Sequence, residues 1–394
     1  MFQYETNFYY ITVFISFFDI DNNFVLFYIC RIESKLNFNL NGDKRMKTII
    51  ANADNISIIA ASKIIKSGGL VAFPTETVYG LGANALNPMA AKKIYYAKGR
   101  PSDNPLIVHI ASERDLYSVG KNINAEIKNL TKNFWPGPLT IICKKKSCIP
   151  NETSGGLDTV AVRFPANPIA QKLILSAGVP IAAPSANISG KPSCTRAKHV
   201  IKDLNGKIDM ILCDDKFSFG IESTIIDMTQ KNPVILRPGA ITFEMLKKIL
   251  PNVSIGKSLI VDNEHPKAPG MKYKHYSPEA DVFIIFSDER NINARQKKII
   301  DKVNKMVSDN QKNKLKPGVL TFDQTKEFYK NCFVLSMGDK NNLLEIANNL
   351  FDCLREFDLN QIDVVYAESI DEKEIGSAIM NRLLKSADYK IIRV

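Results

Sequence analysis

The sequence has no cysteine pair of the C-x-x-C type, although it contains seven cysteines in 394 residues. A scattered, odd-numbered set of this kind argues against a disulfide framework and against a zinc site. Several of the cysteines stand in apolar runs, where a cysteine packs as a small hydrophobic residue. A reducing compartment is the simplest setting for such a protein, and we therefore expect a cytoplasmic location.

The aromatic-rich N-terminus has no apolar run that could cross a bilayer, because ITVFISFF stops at Asp19. A membrane-spanning helix needs about 20 apolar residues, and a signal peptide needs a basic start and a small-residue cleavage site. We expect residues 1–46 to be an extension, non-native or disordered, with a natural start at Met46. A membrane-associating segment is the alternative for this extension, and no membrane partner is predicted for the rest of the chain.

Familiar phosphate-binding loops are missing as well. Gly256-Lys257-Ser258 has the end of a Walker A motif, but Pro251 stands where its first glycine should be. No G-x-G-x-x-G opens a helix after a strand, and no Ser-His-Asp order or His/Cys cluster stands out. Any nucleotide site in this chain must therefore be built from other residues.

What the sequence does have is an excess of cations: 52 Lys and Arg against 41 Asp and Glu give a formal charge of +11. This excess favours polyanionic ligands such as nucleotides or tRNA. A lysine-rich surface from an A+T-biased genome explains it equally well. A chain of 394 residues is too long for one ordinary core, so we expect two domains plus additional segments.

The stretch from Val71 to Ile110 concentrates the features expected of a ligand site. It predicts a strand, a turn at Gly80 and Gly82 where backbone can approach a ligand, a helix from Pro88, a basic turn and a second strand. Ligands of α/β sheets sit beyond the carboxyl ends of strands. The stretch therefore predicts a site that contains hydroxyls, two cations and an imidazole.

The charged residues of this region differ in how strongly they indicate a ligand. Lys98 and Arg100 flank a glycine and suit a clamp for phosphate oxygens, although such a pair is often an ordinary surface feature. His109 in an apolar strand is more often a hydrogen-bonded core residue. Arg163 inside TVAVRFP is harder to dismiss, because a buried guanidinium needs an anion. Three partners are open at this point: Glu76, Glu222 or a ligand carboxylate.

Apolar periodicity predicts two stretches in which strands alternate with helices, an α/β pattern. In the first stretch we expect strands at 71–74, 106–110, 139–145, 159–165, from 179, and at 210–213, 223–227 and 233–239. The helices expected between them are 56–69, 88–98, 123–134, 168–177, 196–204 and 242–249, and 146–158 is expected to be a flexible loop. After a Pro- and Gly-containing linker we expect strands at 282–286, 318–322, 332–337, 363–368 and 389–393, with helices at about 290–308, 340–355 and 374–386.

Seven segments occur in the same order as in the YrdC-type domain: PTETVYGLG, KGRPSDNPLIVHI, WPGPLT, VAVRFP, APSANISGKPS, ESTIID and LRPGAI. PGMKYKHYSP and the second α/β unit, which includes IGSAIMNRLLKSA, resemble the two-domain members of that family, the threonylcarbamoyl-AMP synthases. The resemblance covers about residues 48–394. It implies an α/β fold with a twisted mixed-sheet YrdC-type domain at 47–250, a linker and lid at 251–279, and a smaller Rossmann-like α/β domain at 280–394.

The resemblance also implies a function for this chain. Members of the family combine L-threonine, bicarbonate and ATP into threonylcarbamoyl-AMP and pyrophosphate, which is a nucleotidyl transfer. A threonylcarbamoyl transferase complex then modifies adenosine in tRNA. The resemblance further implies Mg²⁺ that arrives with ATP and needs no dedicated protein ligands, and it leaves direct contact with double-stranded RNA or tRNA open.

The resemblance also implies two groups of site residues. For L-threonine these are Thr77, His109, Arg163, Ala183 and Ser223. For ATP they are Lys98, Arg100, Asn104, Thr159, Ser185, Asn187, Ser193, Arg237 and Tyr276. Lys98 and Arg100 are expected to act in catalysis as well, and Tyr276 of the linker is expected to close over the nucleotide.

Three other functions remain as alternatives. A pure RNA-binding protein would use the positive charge but would leave an inward Arg163 and the linker Tyr276 without a purpose. A carbamoyl-adenylate-forming enzyme of hydrogenase maturation would carry zinc-finger cysteine pairs, which this sequence lacks. A structural adaptor would bind no nucleotide.

Overall fold

The computed structural model describes residues 47–214, 218–256, 268 and 275–394. The extension at 1–46 and most of the linker predicted at 251–279 lie outside the described residues. Within them the chain forms two units, each built on its own sheet. The α/β class predicted from the sequence is confirmed.

The first unit contains twelve strands within the described residues. In chain order they are β1 (Ile49–Asn52), β2 (Val71–Phe73), β3 (Gly80–Asn84), β4 (Ile107–His109), β5 (Gly120–Lys121), β6 (Leu139–Lys145), β7 (Thr159–Arg163), β8 (Ile181–Ala182), β9 (Met210–Cys213), β10 (Thr224–Asp227), β11 (Val234–Arg237) and β12 (Ser254–Ile255). Their spatial order is β1-β9-β2-β3-β8-β4-β7-β6-β10-β11-β12, and β5 pairs with β6. Parallel pairs such as β4–β7 alternate with antiparallel pairs such as β6–β7, so the sheet is mixed.

The helices of the first unit connect these strands. They are α1 (Asn55–Lys66), α2 (Pro88–Lys98), α3 (Glu113–Val119), α4 (Ala125–Phe134), α5 (Asn151–Ser154), α6 (Pro168–Ala177), α7 (Ala197–Leu204) and α8 (Phe243–Ile249). Capping residues in the sequence explain the helices whose ends were predicted best. The Asn167 side chain caps α6 by accepting from the first free backbone N–H groups, and Gly178 in the left-handed conformation ends it. The same pattern ends α2 at Gly99, which turns the chain toward Arg100.

The second unit is a parallel sheet with helices. Its strands are β13 (Asp281–Phe286), β14 (Pro317–Thr321), β15 (Phe333–Ser336), β16 (Val364–Glu368) and β17 (Ile391–Arg393), in the order β15-β14-β16-β13-β17. Its helices are α9 (Ile292–Lys312), α10 (Leu343–Leu359) and α11 (Gly376–Ser386), with a 3₁₀ turn at Lys326–Phe328. All its strand pairs are parallel, as a Rossmann-like arrangement requires.

Gly80 and Gly82 do not form the turn expected from the sequence; both belong to β3, which runs antiparallel to β2. The reason is close packing. A Cβ on Gly82 would lie 2.7 Å from a ring carbon of Phe73 and 2.8 Å from Ile181. The glycines therefore let a strand pass against bulky side chains.

The loop expected at 146–158 also differs, because it contains α5. The Thr153 hydroxyl donates to the carbonyl of Ala85 at 2.8 Å, and Thr153 and Ser154 are buried. These contacts fix residues 151–154 against the rest of the first unit. The flexible-loop prediction is wrong for 151–154.

The two units share a hydrophobic core. Val78 and Ile221 of the first unit, together with Tyr276, pack among the buried side chains of the second unit, which include Leu350 and Phe351. The contact between the units therefore includes closely packed apolar side chains. No helix in the described ranges combines the length and the apolar character that crossing a membrane requires.

Candidate active site

A single cavity in the first unit collects most of the predicted site residues. All five residues predicted for threonine and six of the nine predicted for the nucleotide line it. These eleven are Thr77, Lys98, Arg100, His109, Arg163, Ala183, Ser185, Asn187, Ser223, Arg237 and Tyr276. Residues from the sequence segments 75–80, 98–109, 183–191 and 222–237 meet here, so the cavity exists only in the folded chain.

Arg163 lies at one end of the cavity, at the carboxyl end of β7. Its Nη1 donates to the Thr77 hydroxyl at 3.0 Å, and its Nη2 lies 2.7 Å from Glu76 Oε1. That last contact is a close ion pair without an aligned hydrogen bond, since neither atom has a hydrogen-bond partner. Burial is the largest influence and raises the pKa of Glu76, but the charge of Arg163 and hydrogen bonds to the carboxylate together hold that pKa below its ordinary value. Glu76, one of the three partners left open by the sequence, is the observed partner.

His109 lies beside Arg163 in the neighbouring strand β4. Its ring is buried edge-on to Phe73, and its Nδ1 is 3.1 Å from the carbonyl oxygen of Ile107. Burial, and then the positive charge of Arg163, lowers the pKa of His109 to about 3. The imidazole is therefore neutral at physiological pH, and it can contact a ligand without adding charge.

Ser223 and Arg237 form a further part of the cavity wall. The Arg237 guanidinium donates to the Ser223 carbonyl at 3.0 Å and to its hydroxyl at 3.2 Å, and Thr140 shares a hydrogen bond with that hydroxyl at 2.8 Å. Tyr276 lines the cavity together with Arg237, whose charge acts on the tyrosine hydroxyl. Tyr276 is buried, with its backbone in the left-handed region at φ 64°, and its ring packs 5.2 Å from that of Phe351. The end of the linker is thus held against both units.

Lys98 and Arg100 meet the cavity at the end of α2. Lys98 is only 2% exposed, and its ammonium donates to the carbonyl oxygens of Ser185, at 2.5 Å, and Asn187. Arg100 donates to the carbonyls of Asn104 and Pro105 at 3.2 and 3.0 Å. Burial, and then the charge of Arg100, lowers the pKa of Lys98 to about 7. An anionic ligand would reverse this shift by supplying the missing counter-charge.

Three predicted residues do not line the cavity. Thr159 is at the start of β7, four residues from Arg163 and toward the opposite end of that strand. Ser193 is fully buried behind the wall, where its hydroxyl donates to Glu222 at 2.5 Å. Asn104 is buried as well, and its side-chain oxygen has no hydrogen-bond partner. Their proposed contacts with the nucleotide stay predictions.

The cavity also contains residues that the sequence reasoning did not assign. Lys191 and Glu222 line it, and so does His275, whose Nε2 is buried without a hydrogen-bond partner. Burial, and then the charge of Arg100, lowers the pKa of His275 to about 3. His275 could have been found through the motif Lys272-Tyr273-Lys274-His275-Tyr276. The sequence prediction assigned only Tyr276 of this motif to the site.

The arrangement suits two anionic groups side by side. Arg163 can accept a carboxylate, while Lys98, Arg100 and Arg237 can neutralise phosphates. Hydroxyls from Thr77 and Ser223 lie on the walls. In the part of the chain that the structure describes, no group of three or more His, Cys, Asp or Glu side chains could hold a metal ion. The cations and hydroxyls of the cavity fit binding and charge neutralisation.

Comparison with known proteins gives the same picture over both units. The Sua5/YciO/YrdC family model, described as "Telomere recombination", matches residues 63–239, and the model of the threonylcarbamoyl-AMP synthase C-terminal domain matches residues 241–388. The chain is 45% identical to a threonylcarbamoyl-AMP synthase of Pyrococcus abyssi, over 88% of this chain and 100% of that protein. It is 44% identical to that of Bacillus subtilis, over 85% of this chain and 94% of that protein.

A solved structure agrees with the sequence relatives. The crystal structure of Pyrococcus abyssi Sua5 complexed with L-threonine has a TM-score of 0.81 and 44% identity, over 89% of this chain and 99% of that one. The resemblance inferred from the sequence motifs, and the YrdC-type fold it implied, are confirmed. The chain belongs to the Sua5 family of two-domain threonylcarbamoyl-AMP synthases.

Proposed function

We propose that this chain is an L-threonylcarbamoyladenylate synthase, a nucleotidyltransferase that makes threonylcarbamoyl-AMP and pyrophosphate from L-threonine, bicarbonate and ATP. The product serves the threonylcarbamoyladenosine modification of tRNA. The observation that carries the proposal is the cavity itself. It places a carboxylate-type partner, Arg163, and three phosphate-type partners around one space. The names of the relatives over nearly the full chain support the same reaction.

L-threonine is proposed to bind at the Arg163 end. Its carboxylate would take the fork of Arg163 Nη atoms, one of which has no aligned hydrogen bond to Glu76. Glu76 keeps the guanidinium oriented, and the Thr77 and Ser223 hydroxyls are available for the polar groups of the substrate. Neutral His109 and the backbone at Ala183 would complete the pocket without adding a competing charge.

ATP is proposed to bind along the cations on the other side. The amine of threonine takes up CO₂ from bicarbonate as a carbamate, and a carbamate oxygen then attacks the α-phosphorus of ATP. One P–O bond forms, the bond from the α-phosphorus to the pyrophosphate oxygen breaks, and pyrophosphate leaves with the electron pair. Lys98, Arg100 and Arg237 would neutralise the charge that grows on the phosphate oxygens in this step.

Mg²⁺ is proposed to enter with the triphosphate. Glu222, the carboxylate that lines the cavity, is already engaged with Arg382, and the neighbouring Glu76 is engaged with Arg163. The metal would therefore be held by phosphate oxygens and water, which is a common arrangement for this ion. It would supply further neutralisation of the phosphates.

The linker is proposed to act as the lid. Tyr276 and His275 line the cavity, and Tyr276 is held by Arg237 on one side and by Phe351 on the other. Closure of this segment would exclude water from the carbamate, which hydrolyses readily. Ending the chain before residue 251, which removes the linker and the second unit, should then impair activity; full activity of that shortened chain would refute the lid.

Three further expectations concern partners and location. The product is unstable, so a threonylcarbamoyl transferase complex is the proposed recipient. Direct contact with double-stranded RNA or tRNA is consistent with the charge of +11. A cytoplasmic location is proposed from the scattered, unpaired cysteines.

Pyrophosphate release tests the central proposal. The purified full-length chain is incubated with ATP, Mg²⁺ and bicarbonate, and each amino acid is added in turn. Release that depends on L-threonine and on bicarbonate is the expected result. Release without an amino acid would indicate a simple ATPase, and no release with threonine would refute the proposed function.

A further inference from the structure

Arg382 on α11 is the largest fully buried side chain among the described residues, and its contacts leave its own unit. Its Nε donates to Glu222 Oε2 at 3.0 Å, its Nη2 donates to the Glu222 carbonyl at 3.1 Å, and its Nη1 donates to the Pro238 carbonyl. Glu222 and Pro238 belong to the first unit. A cation of the second unit thus inserts into the wall of the cavity.

The two acceptors are immediate neighbours of two cavity residues. Glu222 precedes Ser223, and Pro238 follows Arg237. Ser223 and Arg237 are bonded to each other through two hydrogen bonds. Arg382 therefore fastens both backbone segments from behind, on the side away from the cavity.

Charge gives this contact a second consequence. Glu222 is buried and lines the cavity close to Arg237, and the charges of Arg382 and Arg237 both lower its pKa, against the effect of burial. Without Arg382, the carboxylate would keep the hydrogen bond from Ser193, and Arg237 would become the main positive charge acting on it. An Arg237 guanidinium that is paired with Glu222 would be lost to a ligand phosphate, and an unneutralised carboxylate in the wall would repel that phosphate.

We propose that Arg382 of the second unit is a positioning residue for the reaction: it neutralises Glu222 and thereby keeps Arg237 available to the nucleotide. The second unit then completes the active site of the first, in addition to holding the lid. This inference rests on the proposed function, because it assigns Arg237 to ATP.

The comparison of single and double variants tests it. Arg382→Met removes the cation at similar length, and Glu222→Gln in the same chain removes the charge that Arg382 neutralises. We expect Arg382→Met to raise the KM for ATP by at least about tenfold, because a charge-assisted contact with phosphate is lost. The double variant Glu222→Gln/Arg382→Met should recover at least about a third of that loss on a logarithmic scale, since Arg237 is free again. Arg382→Lys, which keeps the charge, should lie between wild type and Arg382→Met.

A matched control separates this effect from loss of stability. Glu368 is a buried carboxylate of the second unit whose partners, among them Thr325, Tyr329 and Gln296, all lie in that unit. Glu368→Gln should lower Tm without a selective change in the KM for ATP. All variants are assayed well below their measured Tm.

Each outcome of these experiments either supports or overturns a proposal. Recovery of ATP affinity in the double variant that exceeds any recovery of Tm supports the proposal, because a purely structural role predicts that ATP affinity follows Tm. An equal or worse double variant overturns it, and so does an Arg382→Met enzyme with kinetics like those of Glu368→Gln. If Arg382→Met does not fold, Arg382→Lys and Glu222→Gln/Arg382→Lys make the same comparison. A wild-type chain that releases no pyrophosphate with threonine refutes the proposed function instead, and equilibrium binding of ATP to the same variants still tests the role of Arg382.

Discussion

Two sets of buried or half-buried cations in this molecule have different partners. At the interface between the units, Arg355 and Arg382 each face a carboxylate: Arg355 lies 2.8 Å from Asp203, and Arg382 lies 3.0 Å from Glu222. In the cavity, the ammonium of Lys98 and the guanidinium of Arg100 donate to backbone carbonyls. Carbonyl oxygens carry partial charge, whereas carboxylates carry a full one.

The difference indicates which cations are structural and which await a ligand. A buried cation with a full counter-charge is complete in the free protein, so a new anion has little to add. A buried cation that is solvated only by carbonyls gains much from a phosphate. Arg163 stands between the two sets, since Glu76 pairs with it but leaves the contact unaligned.

Arg163 offers the largest effect. Arg163→Ala should raise the threonine requirement by about 100-fold, since a fork of charge-assisted hydrogen bonds is lost. The measurement is the KM for threonine in pyrophosphate release. Because alanine also strands Glu76 as a buried charge, Arg163→Lys is the control: it keeps the charge but has no fork, and it should still bind threonine poorly. A threonine KM that is unchanged in Arg163→Lys would remove Arg163 from the substrate site.

Lys98 comes next, on the phosphate side of the comparison. Lys98→Met should weaken ATP binding by about 1–3 kcal/mol, because one charge-assisted contact is lost, and threonine binding should change less. Arg100→Ala should have an effect of the same size. Lys92→Met is a matched control on the same helix, since Lys92 is a surface residue paired with Glu152. Equal ATP affinities of the Lys98 and Lys92 variants would contradict the assignment.

The interface can be disturbed without touching any cation. Gly220 has φ +66° and packs against α10, so that a Cβ there would lie 2.3 Å from Asn348 Cα. Gly220→Ala should therefore reduce the free energy of unfolding by about 2 kcal/mol, through a clash between the units and backbone strain. Gly156→Ala is the control for strain alone, because Gly156 has φ +84° with nothing within 4 Å of the added Cβ. Denaturant unfolding of the two variants measures the difference, and equal losses would show that the close approach does not matter.

Local signals located most helices of the first unit, although α3 and α5 were not predicted. Three residues set the ends of α6: Asn167 caps its start, Pro168 is its first residue, and Gly178 ends it. Each acts through the local backbone, and α6 has the predicted bounds. Gly80 and Gly82 were misjudged because a glycine that permits a turn and a glycine that permits close packing look the same in a sequence. The structure distinguishes them through Phe73.

Long-range contacts set the limit for the site. The motifs located Lys98, Arg163 and Arg237 because each stands at the end of a recognisable element. Arg382 lies 160 residues from Glu222 on a helix whose pattern indicates only an apolar face. Nothing local tells that one arginine on that helix reaches into another unit. The pairing of cations with carboxylates is a tertiary property.

The smallest expected effect concerns protons. The pKa of Lys98 is lowered to about 7 by burial and by Arg100, below its value in an unfolded chain. The buried ammonium therefore lowers the free energy of unfolding by its full amount below about pH 7. This loss of stability becomes smaller as the pH rises toward the pKa of Lys98 in the unfolded chain. Phosphate oxygens favour the charged form, so ATP binding at about pH 8 should take up a proton, and ATP affinity should fall severalfold between about pH 7 and 9.

Calorimetry of ATP binding in two buffers with different heats of ionisation measures that uptake. The wild-type chain should take up a fraction of a proton at about pH 8, and Lys98→Met should take up less, because it has no amine to protonate. Arg382→Lys is the contrasting variant for proton uptake, because Glu222 already supplies a counter-charge at position 382 before ATP binds. Equal uptake by wild type and Lys98→Met would mean that Lys98 is already charged in the free protein. The carbonyls of Ser185 and Asn187 would then be sufficient to hold the ammonium, and the distinction between the two sets of cations would rest on geometry alone.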